Sequence, residues 1–235
     1  MLAAAALKRL QTLTTAHLAD ACIRVDVTVR CAPSAVKGAA PSMHCIGSAR
    51  PVRHAGSVDI FLEAIAAASV NDVLVVDNEG RHDEACVGDL IALEAKQAGL
   101  SGIVIWGLHR DTAELIDIGL PLFSAGSLPR GPLGARPRHL EALTTAQIGE
   151  WCVSSEDVVV ADTDGVLFLS EQNLPDVIAT AEQIRDTERR QAELVAKGHS
   201  LREQCRFDEY LTKSKDHPSY GFREHLRTIS GAIET

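Results

Sequence analysis

The chain has 235 residues, 46 % hydrophobic and 23 % charged, enough to bury a substantial core as one domain with a tail or as two small ones. A formal net charge of −9 argues against a general phosphate-backbone binder, which needs a basic face, so no nucleic-acid partner is expected. No stretch approaches the roughly 20 apolar residues of a membrane span.

At the start, Met1–Arg9 places its charges after the apolar run, the wrong order for a secretory signal. Six cysteines (Cys22, Cys31, Cys45, Cys86, Cys152, Cys205) lie scattered with no C-x-x-C pair, which argues against structural zinc and for free thiols in a reducing cytosol. A soluble, cytoplasmic protein is the expectation. Residues 12–22 read as a helix capped by Thr14 or Thr15. Residues 26–45, rich in Pro, Gly and Ser, read as a loop with short strands.

From Ile46 the pattern becomes regular. A strand at 47–53 is followed by a helix at 57–68, a strand at 73–77, a helix at 90–98, a strand at 102–106, a helix at 112–118 and a strand at 120–124. Strands separated by helices predict an α/β layered fold with parallel pairing. The Gly/Pro-rich run 126–134 marks an exposed connection, and Arg136-Pro137-Arg138 reads as a solvated basic loop. Two apolar runs, 157–162 and 166–169, flank Thr163-Asp164-Gly165, a hairpin signal. A charged helix runs from Pro175 to about Lys197, with Gly198 as its C-cap. The remainder looks too polar to form a core alone and suited to docking on its own or a neighbouring chain. No internal repeat is present.

Chemistry concentrates at two turns. Gly88-Asp89 and Arg110-Asp111 are separated by twenty residues, and both fall where a strand (73–77, 102–107) hands over to a helix. Free amides and partial positive charge at helix starts attract anions there. Gly88 and Asp89 read equally as a turn and N-cap, and Asp111 with Glu114 as a helix-start box. The chemical alternative gives Arg110 a planar donor fork for a carboxylate or enolate oxygen, and Asp111 a hard ligand for a sparsely held Mg²⁺. His109 and Cys86 read as structural, and His82-Asp83-Glu84 as a solvated loop or a pocket wall. No G-x-S-x-G or P-loop motif occurs.

The ordered series Asp72–Gly80, Ala85–Ala92, Ala98–Val104, Gly107–Asp111 and Gly119–Phe123 resembles the family shared by the regulator of ribonuclease activity A and the 4-hydroxy-4-methyl-2-oxoglutarate / 4-carboxy-4-hydroxy-2-oxoadipate aldolases. The likeness runs from about Thr14 to Leu169. It implies a swivelling β/β/α domain over residues 1–170, with a helical C-terminal extension over 171–235 that docks on a neighbouring subunit. It also implies homotrimers or homohexamers with interfacial active sites. The implied activity is that of a class II aldolase using Mg²⁺ or Mn²⁺ to cleave a 4-hydroxy-2-oxo acid to pyruvate and a second carbonyl compound, with oxaloacetate decarboxylation on the side. Carried over by motif, the amides of Gly88, Asp89, Leu90 and Ile91 bind substrate, Arg110 steadies the enolate, Asp111 ligates the metal and Asp89 orients a water. Glu188 from a neighbouring subunit is the candidate for the metal's outer shell. Trp106, Pro51 and Asn71 depart from the family's usual aspartate, threonine and glycine, which bears on the acceptor side of the pocket. The resemblance also admits a protein-binding ribonuclease regulator without catalysis, or a member recruited to biosynthetic C–C chemistry.

Overall fold

The computed structural model describes residues 2–229. Two helices, α1 (Ala4–Leu10) and α2 (Thr15–Arg24), precede two very short strands, β1 (Arg30–Cys31) and β2 (Lys37–Gly38). The alternating body follows: β3 (Cys45–Arg53), α3 (Asp59–Ala66), β4 (Val73–Asp77), β5 (Ala85–Val87), α4 (Asp89–Gln97), β6 (Gly102–Trp106), β7 (Leu108–His109), α5 (Thr112–Ile118) and β8 (Leu122–Ser124). Two hairpins come next, β9 (Thr145–Ile148) with β10 (Trp151–Ser154), and β11 (Asp157–Asp162) with β12 (Gly165–Ser170). Helices α6 (Leu174–Ala196), α7 (Leu201–Gln204), α8 (Phe207–Asp216) and α9 (Phe222–Thr228) close the described chain.

Eight strands form one sheet in the order β1-β12-β11-β3-β4-β6-β8-β2. Its centre, β3-β4-β6-β8, is parallel, and both flanks are antiparallel. The sheet curls until its edges approach, where Lys37 on β2 donates to the carbonyl of Asp164 in the β11–β12 turn at 2.6 Å. Val73, Val75, Val104, Phe123 and Phe168 fill the concave side, closed by Ala146, Ile148 and Val153 of the β9–β10 hairpin. On the convex side Leu74, Val76, Ile103 and Ile105 lie under α3, α4 and α5, while Ile46, Val158, Val160 and Leu167 lie under α1, α2 and α6. The result is a layered β/β/α fold with C-terminal helices. Because β4 is buried on both faces, its sequence is a continuous apolar run instead of an alternating one.

Local chemistry fixes the boundaries. Thr14 caps α2 by accepting from the His17 amide at 3.2 Å, while His17 Nδ1 accepts from the Thr14 amide at 3.1 Å. Asp162 pins the same helix to the hairpin by accepting from the Thr15 amide (2.8 Å) and hydroxyl (2.7 Å). Pro51 is tolerated in β3 because β11 pairs only as far as Ser48, so the strand's other edge carries no ladder there. Asn71 sits at φ +69°, a left-handed turn that asparagine accepts more readily than other side-chain-bearing residues, which explains how it can stand in a glycine position.

The C-terminal segment differs from its sequence reading. The first half of α6 buries Leu174, Val177, Ile178, Ala181 and Ile184 in the core of the body. Beyond it, Phe207, Tyr210 and Phe222 stack edge-on at 5.0–5.5 Å, and buried His225 pairs through Nε2 with the Cys205 carbonyl at 2.9 Å. The tail therefore has a small aromatic cluster of its own. Among the described residues no helix is long and apolar enough to cross a membrane.

Gly47 on β3 meets the turn before β4 so closely that a Cβ would lie 1.8 Å from the Asn71 carbonyl oxygen. Gly47→Ala is expected to cost about 1–3 kcal/mol through this overpacking, read as a lowered midpoint in urea unfolding.

Candidate active site

The two turns singled out in the sequence are adjacent in space, but not through the strands expected to deliver them. β6 ends at Trp106, Gly107 (φ +150°) breaks the extended chain, and β7 begins anew. Likewise a turn and β5 intervene between β4 and Gly88. β5 and β7 pair parallel as a separate two-stranded sheet, with Ala85 opposite Leu108 and Val87 opposite His109. The Arg110 amide extends the ladder to the Val87 carbonyl at 3.0 Å. Two parallel strands ending in register put both turns on one edge. The Gly/Pro-rich connection runs alongside as a strap: the Leu128 amide donates to the His109 carbonyl (2.9 Å) and the Ala85 amide to the Arg130 carbonyl (2.8 Å).

Gly88 is the N-cap of α4 and Asp89 its first helical residue. Asp111 occupies the N-cap position of α5 in a left-handed conformation (φ +60°), yet its side chain caps nothing. Instead Oδ2 lies 3.3 Å from Arg110 Nε and 3.4 Å from the Asp89 amide nitrogen. A Cβ on Gly88 would stand 2.4 Å from that oxygen and 3.2 Å from Arg110 Nε, so this contact needs a glycine. The helix-start alternative for Asp111 therefore fails on geometry, and its carboxylate is left for another partner. Of the amides expected to receive a substrate, that of Leu90 donates to the Asp89 carboxylate at 2.7 Å, and that of Asp89 faces Asp111. Both amides therefore face carboxylates of the protein itself.

Asp89 and Arg110 line a cleft of about 470 Å³ whose other walls are largely apolar, among them Leu62, Ile91, Leu93 and Pro132. His54 also lines it, a residue the sequence reading passed over. It stands at the C-terminal end of β3, where its amide donates to the Asp77 carbonyl at 2.9 Å. Its Nδ1 meets Asn78 Oδ1 at 2.8 Å, and its ring stacks on Phe61 with centroids 5.1 Å apart. Burial holds this imidazole below its ordinary pKa, only partly offset by the Asn78 bond. The one sequence signal for it is position, immediately after the last residue of a predicted strand.

The remaining candidates separate cleanly. His109 is buried and bonded at both nitrogens, to Ser124 Oγ (2.7 Å) and Thr112 Oγ1 (3.0 Å), tying α5 to β8. Cys86 touches the cleft, but burial pushes its thiol up, which suits a structural residue. All six cysteines are free thiols, two of them exposed. Asp83 is a solvated partner of Arg81, whereas Glu84 is buried with one carboxylate oxygen unpartnered. Glu188 lies on α6 near α2, where it meets His17 Nε2 at 3.1 Å, and it does not line the cleft of its own chain. Neither Trp106 nor Pro51 lines the cleft; Trp106 packs under Gly80, where a Cβ would come within 2.7 Å of the indole. Among the described residues no group of three or more His, Cys, Asp or Glu side chains is placed to hold a metal.

Comparison with known proteins bears on the family and the fold. The family described as RraA-like, Aldolase/RraA, matches residues 15–168. An uncharacterised protein of Methanocaldococcus jannaschii is 31 % identical over 134 residues, 56 % of this chain and 62 % of its own length. A Halorhodospira halophila protein named "Putative 4-hydroxy-4-methyl-2-oxoglutarate aldolase" is 36 % identical over 103 residues, 42 % of this chain and 63 % of its own. The chain thus spans less than two thirds of these curated relatives. Among solved structures, an uncharacterised protein from Pseudomonas syringae superposes with a TM-score of 0.75 at 25 % identity, over 86 % of this chain and 97 % of that one. Streptomyces coelicolor RraAS2, described as an unusual member of the RNase ES inhibitor RraA family, shares the fold with a TM-score of 0.68 at 21 % identity, over 80 % and 98 %. With the family match spanning all the elements that build the paired turns, the chain belongs to the RraA-like, Aldolase/RraA, family.

Proposed function

We propose that the protein is a divalent-metal-dependent class II pyruvate aldolase, cleaving a 4-hydroxy-2-oxo acid to pyruvate and a second carbonyl compound, with oxaloacetate decarboxylation as a side activity. The observation that carries this reading is the meeting of Asp111, Arg110 and the Gly88-Asp89 turn on one edge of the β5–β7 ladder. The Asp111 carboxylate is 35 % exposed, spared from capping, and seated in a notch that any side chain at position 88 would fill. One such carboxylate with Asp89 nearby fits Mg²⁺ or Mn²⁺, hard ions that keep most of their waters and need few protein ligands. When bound there, the ion supplies Lewis-acid polarisation of the substrate's 2-oxo group.

The chain's own residues do the rest. The start of α4 receives the substrate carboxylate through the amides of Gly88, Asp89, Leu90 and Ile91, displacing the Asp89 side chain from the Leu90 amide. Arg110, 48 % exposed at the cleft, directs its guanidinium at the oxygen where enolate charge develops. Freed from the amide, Asp89 orients a water that protonates the enolate carbon. The apolar walls limit competing water around the reacting centre. Assembly as a homotrimer or homohexamer belongs to this proposal, with Glu188 of α6 offered to a neighbouring subunit's metal site and the segment from 171 onward docking there.

Three outcomes follow in a lactate-dehydrogenase-coupled pyruvate assay. Wild-type turnover stops with EDTA and returns with Mg²⁺ or Mn²⁺. Asp111→Ala abolishes pyruvate release, and Arg110→Ala lowers kcat by about 10²–10³-fold, as removal of a preorganised charge-stabilising donor does elsewhere. Full activity in either variant refutes the assignment; no wild-type turnover, with stable capture of a ribonuclease, favours a regulator instead. Gly88→Ala, which drives a methyl group into the Asp111 carboxylate, raises the Mg²⁺ concentration for half-activation about 10–100-fold.

A further inference from the structure

Retro-aldol cleavage needs a group that the paired turns do not provide. Before the C3–C4 bond can break, the 4-hydroxyl must lose its proton to a base on the acceptor side of the cleft. Arg110 is a permanent cation, and Asp89 is committed to the water at C3. Of the other ionisable side chains lining the cleft apart from His54, Cys86 is a buried thiol that burial pushes up, and Glu94 is exposed on the outer part of α4.

We propose that His54 is this base, with Asn78 and Phe61 as the positioning residues that hold its ring, an inference that rests on the aldolase reading above. Four observations converge on it. His54 stands at the C-terminal end of β3, beside the β4 and β6 ends, and lines the same cleft as Asp89 and Arg110. Its Nδ1 faces the Asn78 carbonyl oxygen at 2.8 Å, so Nδ1 carries the proton and Nε2 keeps the lone pair. Nε2 has no hydrogen-bond partner among the described residues and is not one of the fully enclosed, unpartnered atoms; besides the cleft, His54 borders the recess of Arg53, Asp77, Glu79 and His139. Phe61 stacks on the ring at an interplanar angle of 8°, fixing its plane.

The step balances without any further reactant. Nε2 takes the proton of the 4-hydroxyl, the O–H pair forms the new carbonyl at C4, and the C3–C4 pair passes into the enolate of pyruvate. The water held by Asp89 then gives a proton to C3, and the imidazolium returns its proton to solvent through the cleft. Charges that face His54 oppose one another: Glu84 favours the imidazolium, while Arg81 and Arg136 disfavour it, and burial outweighs them all. A neutral imidazole at neutral pH is the outcome, ready to accept.

Oxaloacetate decarboxylation reaches the same enolate with no hydroxyl proton to remove, so it separates the base from the rest of the site. In His54→Gln the ratio of retro-aldol to decarboxylation kcat, measured on 4-hydroxy-4-methyl-2-oxoglutarate and oxaloacetate with Mg²⁺, falls by about 10²-fold, within the usual range for a general base. An unchanged ratio overturns the proposal, and so does an equal loss of both activities. Should the variant not fold, the wild-type pH profile decides. Retro-aldol kcat carries an acid limb, with rate lost as pH falls through the lowered His54 pKa, and decarboxylation lacks it; identical profiles for the two reactions overturn the proposal. Absence of both metal-dependent activities in the wild type refutes the aldolase reading itself, a result distinct from either of these.

Discussion

The absence of a side chain at position 88 is the constraint on which the site depends. Asp111 places its carboxylate where a Cβ would otherwise stand, 2.4 Å away, and Arg110 lies across the same space. To reach it, Asp111 adopts a left-handed backbone, a conformation that costs a non-glycine residue of order 1–3 kcal/mol. Nothing in helix capping recovers that cost, since the side chain makes no cap bond. The strain is held by the parallel β5–β7 ladder on one side and by the strap through Leu128 and Arg130 on the other. Strained, under-used carboxylates held by rigid surroundings are characteristic of functional positions.

The larger architecture serves this contact. The central parallel strands end together, so their C-terminal residues (Arg53, Asp77, Trp106) form one rim, and the short β5–β7 ladder lies beyond it. Close approach of backbones makes that alignment possible: Gly47 lies against the Asn71 turn, and a Cβ at Gly102 would come within 2.8 Å of Cys45. His54 and Asn78 follow directly after β3 and β4, which is why one can hold the other across the strand ends. The convex helices then wall the cleft, α3 with Leu62 and α4 with Ile91 and Leu93, while Phe61 backs the His54 ring.

Much of this was legible in the sequence, and the failures have physical causes. β4 and α5 match their expected bounds because an uninterrupted apolar run and a glycine-terminated amphipathic turn are strong signals. β5 and β7 were invisible, since strands of three and two residues have no period to detect. Their absence led to β4 and β6 being credited with delivering the turns. The β9–β10 hairpin was lost for a similar reason, and α1 because its alanine run lacks a side-chain cap. The structure brings the four residues of the paired turns together, and the sequence alone cannot show that the Asp111 side chain makes no cap bond and turns to Arg110 instead. His54 carries no local signature, because its meaning comes from Asn78, twenty-four residues on, and from Phe61 on the next helix.

The polar groups around the cleft also divide by how tightly they are held. His109 and Glu84 are buried, one bonded at both nitrogens and the other paired with Arg81 at 3.3 Å. Arg110, Asp89 and Asp111 are half open, and their present contacts, at 2.7 to 3.4 Å, are with each other and with free amides. A network of that kind is self-satisfied when empty yet can exchange each internal partner for one on a ligand, so no buried charge is left bare in either state. His54 belongs to neither group: one nitrogen is bonded to Asn78, while the other has no hydrogen-bond partner among the described residues. A base that must face one atom repeatedly needs that combination, an orientation fixed from behind and a lone pair left free in front.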